Sequence, residues 1–330
     1  MSDKINKHDK VKIPEVVFLD SHTLSLNNDL DFSNIDKICN LKKLELLDDD
    51  TVLDCCMNAE IIIVNKLILD KKIISSLKDL RLICVIATGY NNIDIKAAKE
   101  KNIEVVNVPG YAKYSVSQHV FAMVLNLATK MYLYNEDVRK GQWEKSKDFG
   151  LLKYYTFELA QKIIGIIGFG AIGQNVARIA EGFDMKVMVY DVSSNIKSNY
   201  KVYPLNQVLS NADVITIHCP LTDNTRNLIN KDTFELMKHS AILINTSRGG
   251  IVNEEDLLEA LNSGRIAGAG IDVLSQEPPS AGNKLLHKAK NLIVTPHTAW
   301  SSREARQRMI DITADNINAY LNGKIINSVF

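Results

Sequence analysis

Three side chains late in the sequence have chemistries that complement one another. Arg248 follows the apolar run ILINTS, Glu277 follows GIDV and a short turn, and His297 follows NLIVTP. Each run reads as a strand, so each polar group stands where a strand gives way to a loop. Reduction of a 2-keto acid asks for a cation on the carboxylate, a proton donor at the carbonyl oxygen and a partner that steadies the donor. Arg248 offers a planar fork of N–H donors to a carboxylate. His297 can hand over a proton near neutral pH. Glu277, if hydrogen-bonded to His297, would stabilise the imidazolium. Singly, Arg248 reads as an ion-pair residue, Glu277 before two prolines as a loop residue and His297 as a helix cap. A second motif upstream of all three changes that weighting.

That motif is Gly168-Phe169-Gly170-Ala171-Ile172-Gly173, which follows the apolar run KIIGII and precedes the helical stretch NVARIAEGF and the strand KVMVYD. Gly168 permits a tight turn, Gly170 lets backbone approach a pyrophosphate, and Gly173 permits close packing of helix on strand. The helix N-terminus adds amide donors and the positive end of its dipole. Asp191, eighteen residues past Gly173, is placed to accept hydrogen bonds from ribose hydroxyls and to repel a 2′-phosphate. NAD is therefore the expected cofactor. Ser193 and Ser194 bring no arginine to reverse that preference, although Lys197 lies close by in sequence.

The elements that must position these groups alternate between short Val/Ile-rich runs and helix-like stretches, the pattern of parallel sheets covered by helices. Strands are expected near residues 16–20, 44–47, 61–65, 82–87 and 105–108, which form a small doubly wound unit. One long helix is expected over 115–140, with apolar side chains around much of its circumference. A second series of strands starts at residue 162 and continues near 186–190, 214–219, 242–246, 269–273 and 292–295. A last helix over 302–321 can return the chain to the first unit.

The 330 residues exceed what one core usually organises, so two domains are expected. Lys plus Arg and Asp plus Glu both number 39, which leaves no cationic excess for a phosphate backbone, so no nucleic-acid partner is expected. The five cysteines lack the paired spacing of a zinc site; no metal is expected, and reduced thiols fit a cytoplasmic setting. The opening MSDKINKHDKVKIPEV has no apolar stretch of a secretory leader, residues 1–13 read as a polar tail, and no run is long enough for a membrane span.

Several ordered motifs together resemble the D-isomer-specific 2-hydroxyacid dehydrogenases. They are GFGAIG (168–173), HCPLTDNTRNLIN (218–230), INTSRGGIVNEEDL (244–257), GIDVLSQEP (270–278) and TPHTAW (295–300), with TGYNNID (88–94) and YSVSQHVFAM (114–123) further upstream. The resemblance implies an α/β protein of two doubly wound parallel-sheet domains. A Rossmann cofactor domain (113–298) would be inserted into a flavodoxin-like substrate domain (1–112 and 299–330), with a homodimer formed through the helix near 115–140.

It also implies Arg248, Glu277 and His297 as the catalytic trio and amides around Thr88, Gly89 and Tyr90 on the substrate carboxylate. Cys219, Pro220, Thr246, Ser247 and Asp272, with Arg248 and His297, would flank the nicotinamide. Trp300 beside the TGYNN run looks most like glycerate dehydrogenases, also called hydroxypyruvate reductases; an indole there could meet a substrate hydroxyl or merely pack the domain junction. A D-lactate-type enzyme acting on pyruvate and an NAD-sensing, corepressor-like binding protein remain alternatives. Two positions depart from the family pattern: Gln161 and Asp184 stand where relatives often have glycine.

Overall fold

The computed structural model describes residues 14–45, 51–193 and 199–330. The expected tail at 1–13, the end of the strand expected at 44–47, Ser194 and Lys197 lie outside the described residues. The chain divides into two compact units, one comprising Met1–Tyr111 and Ser302–Phe330 and the other Ala112–Ser301.

In the first unit, β1 (Glu15–Phe18), β2 (Asn40–Lys43), β3 (Ile61–Val64), β4 (Leu82–Val85) and β5 (Glu104–Val106) form a parallel sheet ordered β2-β1-β3-β4-β5. This is the flavodoxin-like order. The IIIV of β3 and LICV of β4 are buried at every position. That is why they read as unbroken apolar runs: a parallel sheet is covered on both faces, and each such side chain contributes about 1.5–3 kcal/mol on burial. β2 comes four residues earlier than expected. Its sequence NLKK is mostly exposed, since an edge strand needs no apolar alternation, and the apolar letters just after it mimic the signal.

The returning helix, Arg303–Leu321, is fastened to the loop after β1. Arg306 Nη1 and Nη2 donate to the two carboxylate oxygens of Asp29 at 2.9 and 2.6 Å, and Nη1 also reaches Leu24 O at 2.9 Å. The hydrogen bond from Arg306 holds the Asp29 carboxyl down to about 2.

The second unit carries β6 (Ile163–Ile167), β7 (Lys186–Tyr190), β8 (Val214–Ile217), β9 (Ile242–Asn245), β10 (Gly268–Ile271) and β11 (Leu292–Val294), all parallel and ordered β11-β10-β9-β8-β6-β7. A lone parallel bridge between Val189 and Val202 stands where a further strand would flank β7. Strand order reverses between β6 and β8, so the loops leaving these strands part there and open a crevice beyond their carboxyl ends. The helices Lys113–Thr129 and Ala171–Glu181 cover one face through Val120, Val124, Leu127, Val176 and Ala180. Leu209, Phe234, Leu257 and Leu261 belong to the core on the other.

The single helix expected over 115–140 is two helices, Lys113–Thr129 and Met131–Arg139, separated by Lys130 at φ 54°. The backbone N–H of Phe157 takes the carbonyl of Ala128 at 3.1 Å, which supplies the helix end with a partner from outside. Neither Gly nor Pro marks the break.

Gln161 and Asp184, the two departures from the family's glycines, have φ 64° and 54° and are joined by Gln161 N donating to Asp184 O at 2.9 Å. Both side chains are exposed, so neither compensates the left-handed backbone by packing. Gln161→Gly should therefore stabilise the chain by about 1 kcal/mol and raise the Tm by roughly 2–4 °C in thermal unfolding; Asp184→Gly should give less, because Asp tolerates this conformation better. A lower Tm for Gln161→Gly would contradict the strain.

Candidate active site

Three loops of the second unit meet at the glycine turn. Gly168, directly after β6, has φ 92°, and a Cβ there would lie 2.4 Å from Cys219 N in the loop after β8. At Gly173 a Cβ would lie 2.3 Å from Gly168 O, so the helix can start against the turn only without a side chain. Gly170 differs: nothing stands within 4 Å of where its Cβ would be. Room beside a helix start with no side-chain cap suits a pyrophosphate, whose oxygens would accept the uncapped amides. Ala171 is exposed, and half-buried Ile172 packs on the core.

Asp191 follows β7. Its Oδ2 accepts from Phe169 N at 2.7 Å and its Oδ1 from Ser193 N at 2.8 Å. It therefore staples the glycine turn while each oxygen keeps a further lone pair for a ribose hydroxyl.

After β8, burial pushes the His218 imidazole down to about 3, so it stays neutral, paired at 2.9 Å with Thr216 Oγ1. Burial pushes the Cys219 thiol up to about 11. Ser247 Oγ donates to Cys219 O at 2.6 Å and ties this loop to the one after β9; Pro220 beside it is exposed. Thr246 Oγ1 is buried with no partner among the described residues, a polar atom that a bound cofactor could satisfy. Asn245, 1% exposed, accepts from Ser247 N at 3.1 Å and donates to Arg248 O at 2.9 Å. The Arg248 guanidinium makes one hydrogen bond, Nη1 to Ser247 O at 2.8 Å, and is paired with no carboxylate among the described residues. Next to it, a Cβ on Gly249 would lie 1.9 Å from Leu274 C. The loop carrying Arg248 thus rests directly on the loop leading to Glu277.

His297 Nδ1 lies 2.6 Å from Glu277 Oε2, and Glu277 Oε1 accepts from Leu274 N at 2.8 Å. An ionised carboxylate only accepts, so Nδ1 carries the proton. Among the described residues Nε2 has no hydrogen-bond partner, and the pair is about one-third exposed, 33% and 34%. His297 sits at φ 53°, a conformation costing about 1–2 kcal/mol for a side chain of its size.

Asp272, 1% exposed, offsets that cost. Its backbone carbonyl accepts from His297 N at 2.8 Å. Its carboxylate accepts from Thr298 N and Ala299 N, each at 2.8 Å, and from the Thr295 hydroxyl in a short bond. The helix Lys113–Thr129 reaches the same segment through Ser115 Oγ, which donates to Ala299 O at 2.6 Å, and through His119, whose Nε2 is 2.9 Å from Thr295 Oγ1. Trp300 is half-buried, three residues past His297.

Thr88, Gly89 and Tyr90 belong to the first unit, shortly after β4. Thr88 Oγ1 donates to Val108 O at 2.8 Å and Asn107 Nδ2 to Thr88 O at 2.7 Å, while Tyr90 is 38% exposed. Asn245, Thr295, Ser115 and His119 have no assigned role in the sequence reading. Two of them share a helical face, since Ser115 and His119 are four residues apart, but Lys113, Ser117, Gln118, Asn126 and Thr129 are polar on the same helix and hide that pairing. Among the described residues, no group of His, Cys, Asp and Glu is arranged to hold a metal ion, and no helix is long and apolar enough to cross a membrane.

Residues 121–299 match the family model for the NAD-binding domain of D-isomer-specific 2-hydroxyacid dehydrogenases. A hydroxypyruvate reductase of Blautia hydrogenotrophica is 38% identical over 96% of this chain and 99% of its own. A glycerate dehydrogenase of Methylorubrum extorquens is 43% identical over 85% of this chain and 88% of its own. Among solved structures, an acyclic imino acid reductase in complex with NADPH and D-Arg superposes with a TM-score of 0.85 at 29% identity, covering 96% of this chain and all of its own. With its glycine turn, its hydrogen-bonded Glu277 and His297 and this extent of likeness, the chain belongs to the D-isomer-specific 2-hydroxyacid dehydrogenases and its second unit is their NAD-binding domain.

Proposed function

We propose that the protein reduces hydroxypyruvate or glyoxylate with NADH, or oxidises D-glycerate in reverse. The observation that carries this reading is the 2.6 Å bond between His297 Nδ1 and Glu277 Oε2, which leaves Nε2 of a one-third exposed side chain without a partner among the described residues. Bound at the glycine turn, NADH supplies the hydride. Nε2 of the imidazolium gives its proton to the carbonyl oxygen, and Glu277 keeps Nδ1–H and balances the charge while the ring is cationic. Arg248, whose guanidinium is bound only to Ser247 O among the described residues, holds the substrate carboxylate through paired N–H donors. The same proposal gives amides around Thr88, Gly89 and Tyr90 to that carboxylate and Trp300 to the substrate's hydroxyl end. The similarity to a hydroxypyruvate reductase and a glycerate dehydrogenase over most of the chain supports the substrate class.

A homodimer and a cytoplasmic setting complete the proposal. Val120, Val124 and Leu127 of the helix Lys113–Thr129 pack inside its own unit, while Met131 and Val138 of the next helix and the segment after it keep exposed apolar side chains for a second copy. Phe149, Leu152 and Tyr155 are 100%, 98% and 81% exposed. The segment is pinned by Lys153 and Tyr154, which donate to Asp137 at 2.9 and 2.7 Å. All five cysteines are free, and burial raises Cys39 to about 11 and Cys56 to about 12, which suits a reducing compartment.

Steady-state rates with a panel of 2-keto acids should give hydroxypyruvate or glyoxylate a kcat/KM at least about tenfold above pyruvate; the reverse order would favour the lactate-type alternative, and tight NADH binding without turnover the binding-protein one. His297→Gln should lower kcat about 10²–10⁴-fold with NADH affinity unchanged, and near-normal turnover would remove His297 from the reaction. Asp191→Ala should shift the NADH-to-NADPH ratio of kcat/KM at least about tenfold toward NADPH; an unmoved ratio would show that this carboxylate does not select the cofactor. Light scattering should give twice the chain mass for the wild type and a monomer for Phe149→Glu combined with Leu152→Glu, whereas a wild-type monomer would refute the dimer.

A further inference from the structure

We propose that His119 is a positioning residue for the proton-transfer centre: it holds the backbone of residues 297–299 through Thr295 and Asp272. The side chain is 22% exposed, and its Nε2 lies 2.9 Å from Thr295 Oγ1 and 3.6 Å from Asp272 Oδ1. The direction of the first contact follows from the proton count. The Thr295 hydroxyl has one proton and gives it to Asp272 Oδ1, so it can only accept from His119. Nε2 must therefore carry a proton, as it does in the Nε2–H tautomer and in the imidazolium alike.

The donation sets the hydroxyl rotor. With its lone pair held by the ring, the Thr295 proton points at Asp272, whose carboxylate also accepts from Thr298 N and Ala299 N at 2.8 Å. One turn earlier on the same helix, Ser115 Oγ donates to Ala299 O at 2.6 Å. The helix thus grips this segment at 295 and at 299, and His297, at φ 53°, stands midway between the two grips. A left-handed histidine keeps its aim only where its surroundings over-determine it. The glycine turn lies at the ends of β6 and β7 and is not part of this network, so loosening the grip should leave cofactor affinity in place.

The inference rests on His297 as proton donor, and its test includes an arm that does not. Amide hydrogen exchange at Thr298 and Ala299 is measured on the full chain, alongside NADH affinity and steady-state reduction of hydroxypyruvate, for the wild type, His119→Ala and His119→Gln. For His119→Ala, exchange at both amides should rise about tenfold or more and kcat fall about tenfold, with NADH Kd and KM within about twofold of wild type. His119→Gln, whose amide can donate to Thr295, should recover most of both losses. Wild-type exchange and kcat in His119→Ala would overturn the proposal, and so would equal damage in both variants, since the ring's bulk rather than its donated proton would then matter. Should His119→Ala fail to fold, His119→Phe keeps a ring of similar bulk without a donor and carries the same expected losses, and wild-type exchange and kcat in it would overturn the proposal. If the wild type reduces no 2-keto acid, the proposed reaction fails while the exchange rates still decide the positioning role.

Discussion

A buried carboxylate wrapped by its own chain is the constraint from which this site follows. Asp272 is 1% exposed, and an ionised group so placed costs several kcal/mol unless donors surround it. Here two amides and one hydroxyl do so, and bonds to a charged acceptor contribute about 1.5–3 kcal/mol each. The donors are available only if residues 295–299 curl around the carboxylate, and that curl forces His297 to φ 53°. The strain at the histidine is thus a consequence of satisfying the aspartate. Its effect is to direct Nδ1 to Glu277.

The parallel sheet supplies the rest. Because all six strands of the second unit run the same way, the loops bearing the glycine turn, Cys219, Arg248, Glu277 and His297 leave from one edge. Two close approaches keep them in contact: Gly168 against Cys219 and Gly249 against Leu274, where a Cβ would come within 2.4 and 1.9 Å of backbone. Asn245 and Ser247 then fix the turn that precedes Arg248. A substitution at either glycine would act on the chemistry by prising loops apart, without touching a reacting group.

Much of this was legible in the amino-acid order, for identifiable reasons. Strands such as IIIV and LICV are buried on both faces and announce themselves as apolar runs, and the glycine turn is punctuated by a strand before it and an acid after it. The edge strand β2, of sequence NLKK, carries no such run, so the apolar residues just after it draw the expectation to 44–47. The helix break at Lys130 was invisible because no glycine or proline marks it; a carbonyl claimed by Phe157 from outside the helix is a tertiary event. Polar residues at strand ends drew attention to positions 248, 277 and 297. His119 is one of several polar residues on its helix, and its role depends on the fold bringing Thr295, 176 residues away, to its ring. The left-handed backbone at Gln161 and Asp184 had a signal, since both stand where the family often places glycine.

His297 can offer Nε2 to a substrate because its Nδ1 proton is committed to Glu277. Nitrogen-15 and proton NMR of protein labelled at histidine tests it most directly. A downfield proton bound to His297 Nδ1 and protected from exchange is expected, and it should shift upfield or disappear in Glu277→Gln. An unprotonated Nδ1, or a signal indifferent to that substitution, would contradict it.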